Sequence, residues 1–328
     1  MQHALPSPLR IHAITYAAEG VLLFDLRDPH GAQLAPFEPG AHVELRLPGG
    51  AVRSYSLVGD ARQRDRYLIG VKRDASSRGG SAWLHASARA GDILEVGAPR
   101  NNFALDEAAP HSVLIAGGIG ITPLWSMVRR LEQLQRPWSL HYRSRSRAQA
   151  PFLAELEGEH AHGRVSLSFS DESKPRLDLQ AIVREAPAGA HFYACGPSAM
   201  LEAFRAACEG IEPQRVHLEH FAPPEEAARP QEGFTVRLGR GGPCLEVPPG
   251  TTILQALEAQ GVAVTSSCRE GLCGACETRV LEGTPDHRDF VLSPAQRAEG
   301  HTMMVCCSRS LTPGLTLDLA APTLKENA

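Results

Sequence analysis

Three cysteines fall within nine residues in CREGLCGAC (268–276), and two more follow at Cys306 and Cys307. Cys268, Cys273 and Cys276 make a C-x4-C-x2-C run with a distant fourth thiol. Such thiols can hold zinc, cycle as a disulfide or ligate an iron–sulfur cluster. Zinc ribbons and fingers use a second pair of ligands at set distance. That pair is missing here, because adjacent Cys306 and Cys307 on a strand would point to opposite faces and could not chelate together. A thioredoxin-like C-x-x-C uses neither Cys268 nor Cys306, and sits at a βα junction rather than in a Gly-rich loop. The spacing is that of a plant-type [2Fe–2S] centre, and the small residues Gly271, Gly274 and Ala275 leave backbone amides free to approach the bridging sulfides. The residues alone leave the choice between Cys306 and Cys307 open.

Other stretches carry the groups that a flavin and a nicotinamide need. RSYSL (53–57) sets the Arg53 guanidinium beside Ser54, the Tyr55 phenol and the Ser56 hydroxyl, donors for a phosphate and for the polar edge of a flavin ring. In VKRDASSRGGSAWLH (71–85), Val71 and Lys72 end a strand, and Gly79, Gly80 and Ser81 open a helix whose free amides and dipole suit a phosphate. AGGIGITP (116–123) places Gly117, Gly118 and Gly120 after an apolar strand and ahead of a helix, where glycines let a pyrophosphate approach. ACGPSAM (194–200) repeats that context with Cys195, Gly196 and Pro197. Asp171, after VSLSFS, can accept from a ribose 2′-hydroxyl and repels a 2′-phosphate, which favours NADH. The basic run RSRSR (143–147) pulls the other way.

These residues must be held by more than one domain. The chain has 328 residues, enough for two or three domains with a core each. With 43% hydrophobic and 21% charged residues it is neither disordered nor fibrous. A formal net charge of −4 argues against a nucleic-acid binder driven by a general basic field. The polar, prolyl start MQHALPSPLR has no apolar core and no bilayer-length run follows, so a cytoplasmic chain with no membrane partner is expected. In a reducing compartment, clustered cysteines point to metal or catalytic use.

From 1 to 106 the short alternating segments VLLFDLRD, AHVELRLPGG, VRSYSLVG, RYLIGVKRD and DILEVGAP predict an antiparallel barrel, with one helix over 81–88. From 107 to 222 the apolar strands SVLIAGG, WSLHYRS, VSLSFSD and HFYACGP alternate with the helical patterns TPLWSMVRRLEQL, APFLAELEGE, DLQAIVREA and SAMLEAFRAACEG. That alternation predicts βαβ units and a parallel sheet covered on both faces. Residues 223–232, rich in Pro, Glu and Ala, read as a semi-rigid linker. Beyond it, over 233–328, FTVRL and CLEVPPG form a hairpin, and TTILQALEAQG is a helix capped by Thr and closed by Gly261.

The segment CREGLCGACETRVLEGTPDHRDFVLS…MMVCCSRS resembles the C-terminal ferredoxin domain of the phthalate dioxygenase reductase family. R-x-Y-S-L, V-K-R and R-G-G-S resemble that family's FMN-binding barrel, and AGGIGITP and ACGPSAM its nicotinamide domain. The resemblance runs from about Leu9 to Leu319. It implies a flavin barrel, a nicotinamide-binding α/β domain and a β-grasp [2Fe–2S] domain. It selects Cys306, in its M-V-C-x-S-R context, as the fourth ligand, and makes Cys307 a spare thiol where a small apolar residue is usual. It implies that Gly117, Gly118 and Gly120 border the pyrophosphate, that Thr122 reaches the flavin–nicotinamide junction, and that Cys195 and Gly196 sit against the nicotinamide. Phe221 in VHLEHF then covers the flavin face. A phosphate held at the start of the 81–88 helix suggests FMN rather than FAD.

The implied activity is a relay from NADH through FMN to a [2Fe–2S] cluster and on, one electron at a time, to a Rieske-type terminal oxygenase. Plant-type clusters lie near about −400 mV and Rieske centres at about −150 to +300 mV. Transfer is then downhill by roughly 6 to 16 kcal/mol per electron. A cytochrome or a diiron hydroxylase as acceptor would use the same motifs.

Overall fold

The computed structural model describes residues 6–74, 79–158, 160, 162–172, 177–222 and 232–320. Residues 223–231, most of the expected linker, lie outside the described residues, as does Arg78 of R-G-G-S. The chain divides into two compact units, Met1–Phe221 and Ala222–Ala328.

In the first unit β1 (Ser7–Ala18), β2 (Val21–Arg27), β3 (His42–Arg46), β4 (Val52–Ser56), β5 (Tyr67–Lys72) and β6 (Ile93–Val96) form an antiparallel sheet in the order β4-β3-β6-β1-β2-β5. A bridge between Leu57 and Ile69 joins the two outermost strands, so the sheet closes into the expected barrel. The two-residue period of its strands turns Leu9, Ile11, Phe24, Leu26, Val43, Leu45 and Ile69 inward, all at 1% exposure or less. Each such burial contributes about 1.5–3 kcal/mol. Helix α1 (Gly80–Ala86) starts one residue earlier than the sequence pattern predicts and plugs the barrel with Leu84.

The rest of this unit runs β7 (Ser112–Gly117), α2 (Ile121–Leu134), β8 (Trp138–Ser144), α3 (Leu153–Leu156), β9 (Gly163–Phe169), α4 (Leu179–Glu185), β10 (His191–Cys195), α5 (Ser198–Ala207) and β11 (Val216–Glu219). Its five strands are parallel, in the order β11-β10-β7-β8-β9. β7 is buried at every position, as a strand covered on both faces must be. Leu114 and Tyr142 pack toward Leu124, Met127 and Val128 of α2, while Val113, Ile115 and Phe192 pack toward Leu201 and Phe204 of α5. The helix expected in APFLAELEGE shrinks to the single turn α3, which Phe152 enters with φ 62°. Barrel and sheet are tied directly: Ser126 Oγ donates to the Gly59 carbonyl at 3.3 Å, and Gln133 Nε2 to Asp60 Oδ2 at 3.0 Å. Hydrogen bonds from Arg62 hold the Asp60 carboxyl down at about 2, against its partial burial.

The second unit contains β12 (Phe234–Leu238), β13 (Cys244–Val247), α6 (Ile253–Ala259), β14 (Glu277–Glu282), β15 (Pro285–Asp286), α7 (Pro294–Glu299), β16 (Thr302–Met304), β17 (Arg309–Ser310) and β18 (Gly314–Leu317). Its main sheet has the order β13-β12-β18-β14-β16, with β12 and β18 parallel, around a core that includes Val236, Ile253, Leu257, Met304 and Leu317. This is a β-grasp. The Thr cap of α6 is a full capping box: Thr252 Oγ1 accepts from Gln255 N–H, and Gln255 Oε1 accepts from Thr252 N–H. Among the described residues no helix is long and apolar enough to cross a membrane.

Candidate redox sites

In the second unit the cysteine loop follows α6 and is anchored to it. Arg269, at φ 59°, donates to Glu258 Oε1 and Oε2 at 2.6 and 3.1 Å. Gly271, at φ 71°, has no room for a side chain: a Cβ there would stand 2.5 Å from Cys307 Sγ and 3.0 Å from Asp289 Cα. The thiols come together in pairs, Cys268 with Cys273 and Cys276 with Cys306, and Cys268 also meets Cys306. Contact with Cys273, then with Cys306, pushes Cys268 toward the thiolate. Backbone amides already point at sulfur: Glu270 and Leu272 N–H at 3.4 Å from Cys268 Sγ, Ala275 N–H at 3.5 Å from Cys273 Sγ. Two thiol pairs suit two irons, each taking two thiolates, with donated N–H groups offsetting the negative charge of the sulfurs.

The placement of Cys306 and Cys307 corrects one expectation. They are not on a strand but in the turn after β16, where Cys307 N–H and Ser308 N–H both donate to the Met304 carbonyl. The turn leaves the Cys307 thiol 3.8 Å from the Met304 carbonyl and 3.9 Å from Ser308 Oγ. Cys307 is partly buried against the β-grasp core.

In the first unit, β4 carries Arg53, Ser54, Tyr55 and Ser56, and the neighbouring β5 ends at Val71 and Lys72. A Cβ at Gly80 would lie 2.8 Å from Arg53 Cγ and 3.0 Å from its Nε, so the guanidinium stem lies across the first turn of α1. Gly79 enters that turn at φ 95° with no side-chain cap. Ser81 Oγ accepts from Asp74 N–H at 3.1 Å, which ties the first turn of the helix to the residue two beyond β5. Guanidinium and glycine backbone so close together make a cradle of the kind that a phosphate monoester fits. Burial lifts the Tyr55 phenol to about 12, so it stays a donor. Thr122 is buried with Oγ1 on the Ile119 carbonyl at 2.8 Å, and its methyl group faces Gly70 of β5, where a Cβ would come within 2.7 Å.

The glycines of the nicotinamide motifs prove to be needed for each other. A Cβ on Gly120 would lie 2.2 Å from the Cys195 carbonyl oxygen, one on Gly117 2.7 Å from Pro197 Cδ, and one on Gly196 3.0 Å from Gly117 Cα. The loops after β7 and β10 therefore touch backbone to backbone, and Gly118 alone of the four faces open space.

Register brings in a residue that the sequence patterns did not single out. Cys195 pairs with Glu219 across β10 and β11. Glu219 Oε2 accepts from Ser56 Oγ at 3.5 Å and from Cys195 Sγ at 3.8 Å, so a barrel strand and a nicotinamide loop meet on one carboxyl. Burial raises the Glu219 carboxyl to about 8 and pushes the Cys195 thiol well above its ordinary range, so both carry protons at neutral pH. Alternation in VHLEH marks Glu219 as sharing a face with His217, but only the pairing with β10 shows which face. Phe221, just beyond β11, is 43% exposed.

Asp171 and the basic run lie on adjacent loops, with Asp171 N–H donating to the Arg145 carbonyl at 3.1 Å. The run is largely committed elsewhere: Arg143 donates to Ser168 Oγ, and Arg147 pairs with Glu157 and stacks over Phe169.

Comparison with known proteins agrees with this geometry. Residues 238–311 match the 2Fe-2S iron-sulfur cluster binding domain, and residues 114–206 the oxidoreductase NAD-binding domain. The phenoxybenzoate dioxygenase subunit beta of Ectopseudomonas oleovorans is 64% identical over 315 residues, 96% of this chain and 98% of that protein. An intact type IV self-sufficient cytochrome P450 monooxygenase superposes with a TM-score of 0.88 at 38% identity; the match spans 96% of this chain and 41% of that one. A solved phthalate dioxygenase reductase, described as a modular structure for electron transfer from pyridine nucleotides to [2Fe-2S], is 38% identical with a TM-score of 0.69. That match covers 96% of this chain and 98% of the reductase. The chain belongs to the phthalate dioxygenase reductase family. As a member of that family it is an NADH-dependent iron–sulfur flavoprotein oxidoreductase, with FMN, a [2Fe–2S] cluster and NADH as its cofactors.

Proposed function

We propose that the chain is the cytoplasmic reductase component of a two-component Rieske-type oxygenase, taking electrons from NADH and passing them singly to the oxygenase. The observation that carries this reading is the meeting of Ser56 and Cys195 on Glu219, which sets a flavin strand against a nicotinamide loop within one compact unit. We assign residues 1–106 to flavin binding, 107–222 to nicotinamide binding and 233–328 to the cluster.

When bound, FMN supplies the conversion of a two-electron input into single electrons, and the cluster supplies a one-electron carrier. Arg53 and the backbone of Gly79, Gly80 and Ser81 hold the FMN phosphate. Ser54, Tyr55, Ser56, Val71 and Lys72 line the flavin. Thr122 and protonated Cys195 orient the nicotinamide, and Glu219 fixes both Ser56 and Cys195 through Oε2 while its carboxyl keeps a proton. Phe221 would cover the flavin face. Gly117, Gly118, Gly120, Gly196 and Pro197 shape the path of the pyrophosphate, and Asp171 receives the adenosine ribose. Cys268, Cys273, Cys276 and Cys306 hold the cluster.

A second reading, a cytochrome as the acceptor, draws on the likeness to the self-sufficient cytochrome P450 chain. Crosslinking of tagged protein in NADH-replete native cells, with mass spectrometry of the captured chains, separates the two. Capture of a chain with C-x-H and C-x-x-H Rieske ligands is the expected result. Capture of a cytochrome and no Rieske chain would overturn it in favour of the second reading.

A further inference from the structure

The basic run RSRSR and the acidic Asp171 favour opposite nucleotides, and the surroundings of Arg147 resolve the conflict. β8 and β9 are parallel, so residues 145–147 and 170–172 leave the sheet side by side at its carboxyl end, where open α/β sheets receive nucleotides. Ser170 N–H donates to the Ser144 carbonyl and Asp171 N–H to the Arg145 carbonyl, both at 3.1 Å. The Arg147 guanidinium lies over the ring of Phe169, the last residue of β9, with Cζ 5.0 Å from the ring centroid. Its Nη2 donates to Glu157 Oε1, and its Nη1 stands 3.8 Å from Glu172 Oε1. Two carboxylates from different loops thus converge on one guanidinium, and Glu172 directly follows the proposed ribose acceptor. The Arg147, Glu157 and Glu172 side chains are 48%, 44% and 32% exposed, within reach of a bound nucleotide and of dissolved salt.

We propose that Glu157 and Glu172 determine the choice of nucleotide: they neutralise and hold Arg147, the guanidinium that would otherwise receive a 2′-phosphate, and so exclude NADPH. A phosphate monoester brings about 1.5–2 negative charges at neutral pH. At this end of the sheet Arg143, Arg145 and Arg147 are matched in formal charge by Glu157, Asp171 and Glu172, which leaves no positive surplus to offset it. To bind the phosphate, Arg147 would have to leave both carboxylates, and these would remain beside it as unpaired like charges. NADH carries a hydroxyl at that position and meets no such penalty. Both glutamates are positioning residues that act through Arg147, and neither needs to touch NADH. The inference rests on the assignment of Asp171 to the adenosine ribose.

The test is steady-state reduction of ferricyanide by the full-length holoprotein with NADH and with NADPH. A Glu157→Gln, Glu172→Gln double variant removes both charges at nearly constant size. It should lower the KM for NADPH and raise its kcat/KM by about fivefold or more, with kcat and the NADH constants little changed. Adding Arg147→Ala should remove that gain. An unchanged ratio of NADPH to NADH activity in the double variant, or a gain that survives Arg147→Ala, would overturn the proposal. Should the variants fail to fold, the wild type decides. Raising the ionic strength from about 0.01 to about 0.15 M shortens the screening length from about 30 to about 8 Å and should raise the NADPH-to-NADH ratio; a ratio that stays constant or falls refutes repulsion at this site. Asp171→Ala in the same assay checks the underlying assignment separately. An unchanged KM for NADH would remove the ribose site itself, whereas a raised KM with no gain in the double variant would overturn only the role of the two glutamates.

Discussion

Gly80 and Arg53 are packed so closely that a single added methyl group at residue 80 would stand 2.8 Å from Arg53 Cγ. Gly80→Ala should therefore displace the guanidinium and weaken FMN binding by about tenfold, ~1.4 kcal/mol. Fluorescence titration of apoprotein with FMN would show it. Unchanged affinity would mean that the phosphate does not sit at this cradle.

The contact between the loops after β7 and β10 makes a similar demand. Gly120→Ala would drive a Cβ into the Cys195 carbonyl, and relieving that clash costs about 1–3 kcal/mol. Stopped-flow flavin reduction should show slowed reaction with NADH. FMN affinity, which depends on the barrel, should change much less.

Glu219 has a pH signature whose sign is set by its burial. Its carboxyl titrates at about 8 in the folded chain against an ordinary 4.5. Between those values the folded state keeps a proton that the unfolded state loses. Its contribution to stability is complete below the lower value and falls as pH rises through the window, by at most about 1.4 kcal/mol per pH unit. Glu219→Gln should abolish that slope, so that urea midpoints of variant and wild type converge or cross as pH rises. Parallel midpoint curves would show that the carboxyl is not buried in its neutral form.

Cys273→Ser should abolish cluster-dependent reduction of cytochrome c and leave NADH–ferricyanide activity, which the flavin half supports alone. Loss of both activities together would contradict separable modules.

Asp171→Ala removes an acceptor for a ribose hydroxyl and should raise the KM for NADH by about three- to tenfold, the net worth of one hydrogen bond. The ratio of NADH to NADPH activity should fall with it. A constant ratio would shift the choice of nucleotide to the neighbouring arginine loop.

What could be read from residue order alone follows from how local each signal is. The cluster loop, the strands and helices of 112–207 and the Thr252 cap are set by neighbours in sequence, so periodicity and spacing reveal them. Glu219 is set by the register of β11 against β10, a pairing across 24 residues that no local pattern encodes. The same holds for Gly117, Gly120 and Gly196, whose motifs announce a nucleotide loop while their missing side chains are required by loop-to-loop packing. Cys306 and Cys307 misled for the opposite reason: alternation assumes a strand, and a turn closed on the Met304 carbonyl replaces it.

The middle strand of the β-grasp sheet, β18, is the last strand of the unit in chain order. During vectorial synthesis all four cysteines leave the ribosome before Gly314–Leu317 can slot between β12 and β14. The thiols are thus displayed on an incomplete fold first and enclosed afterwards.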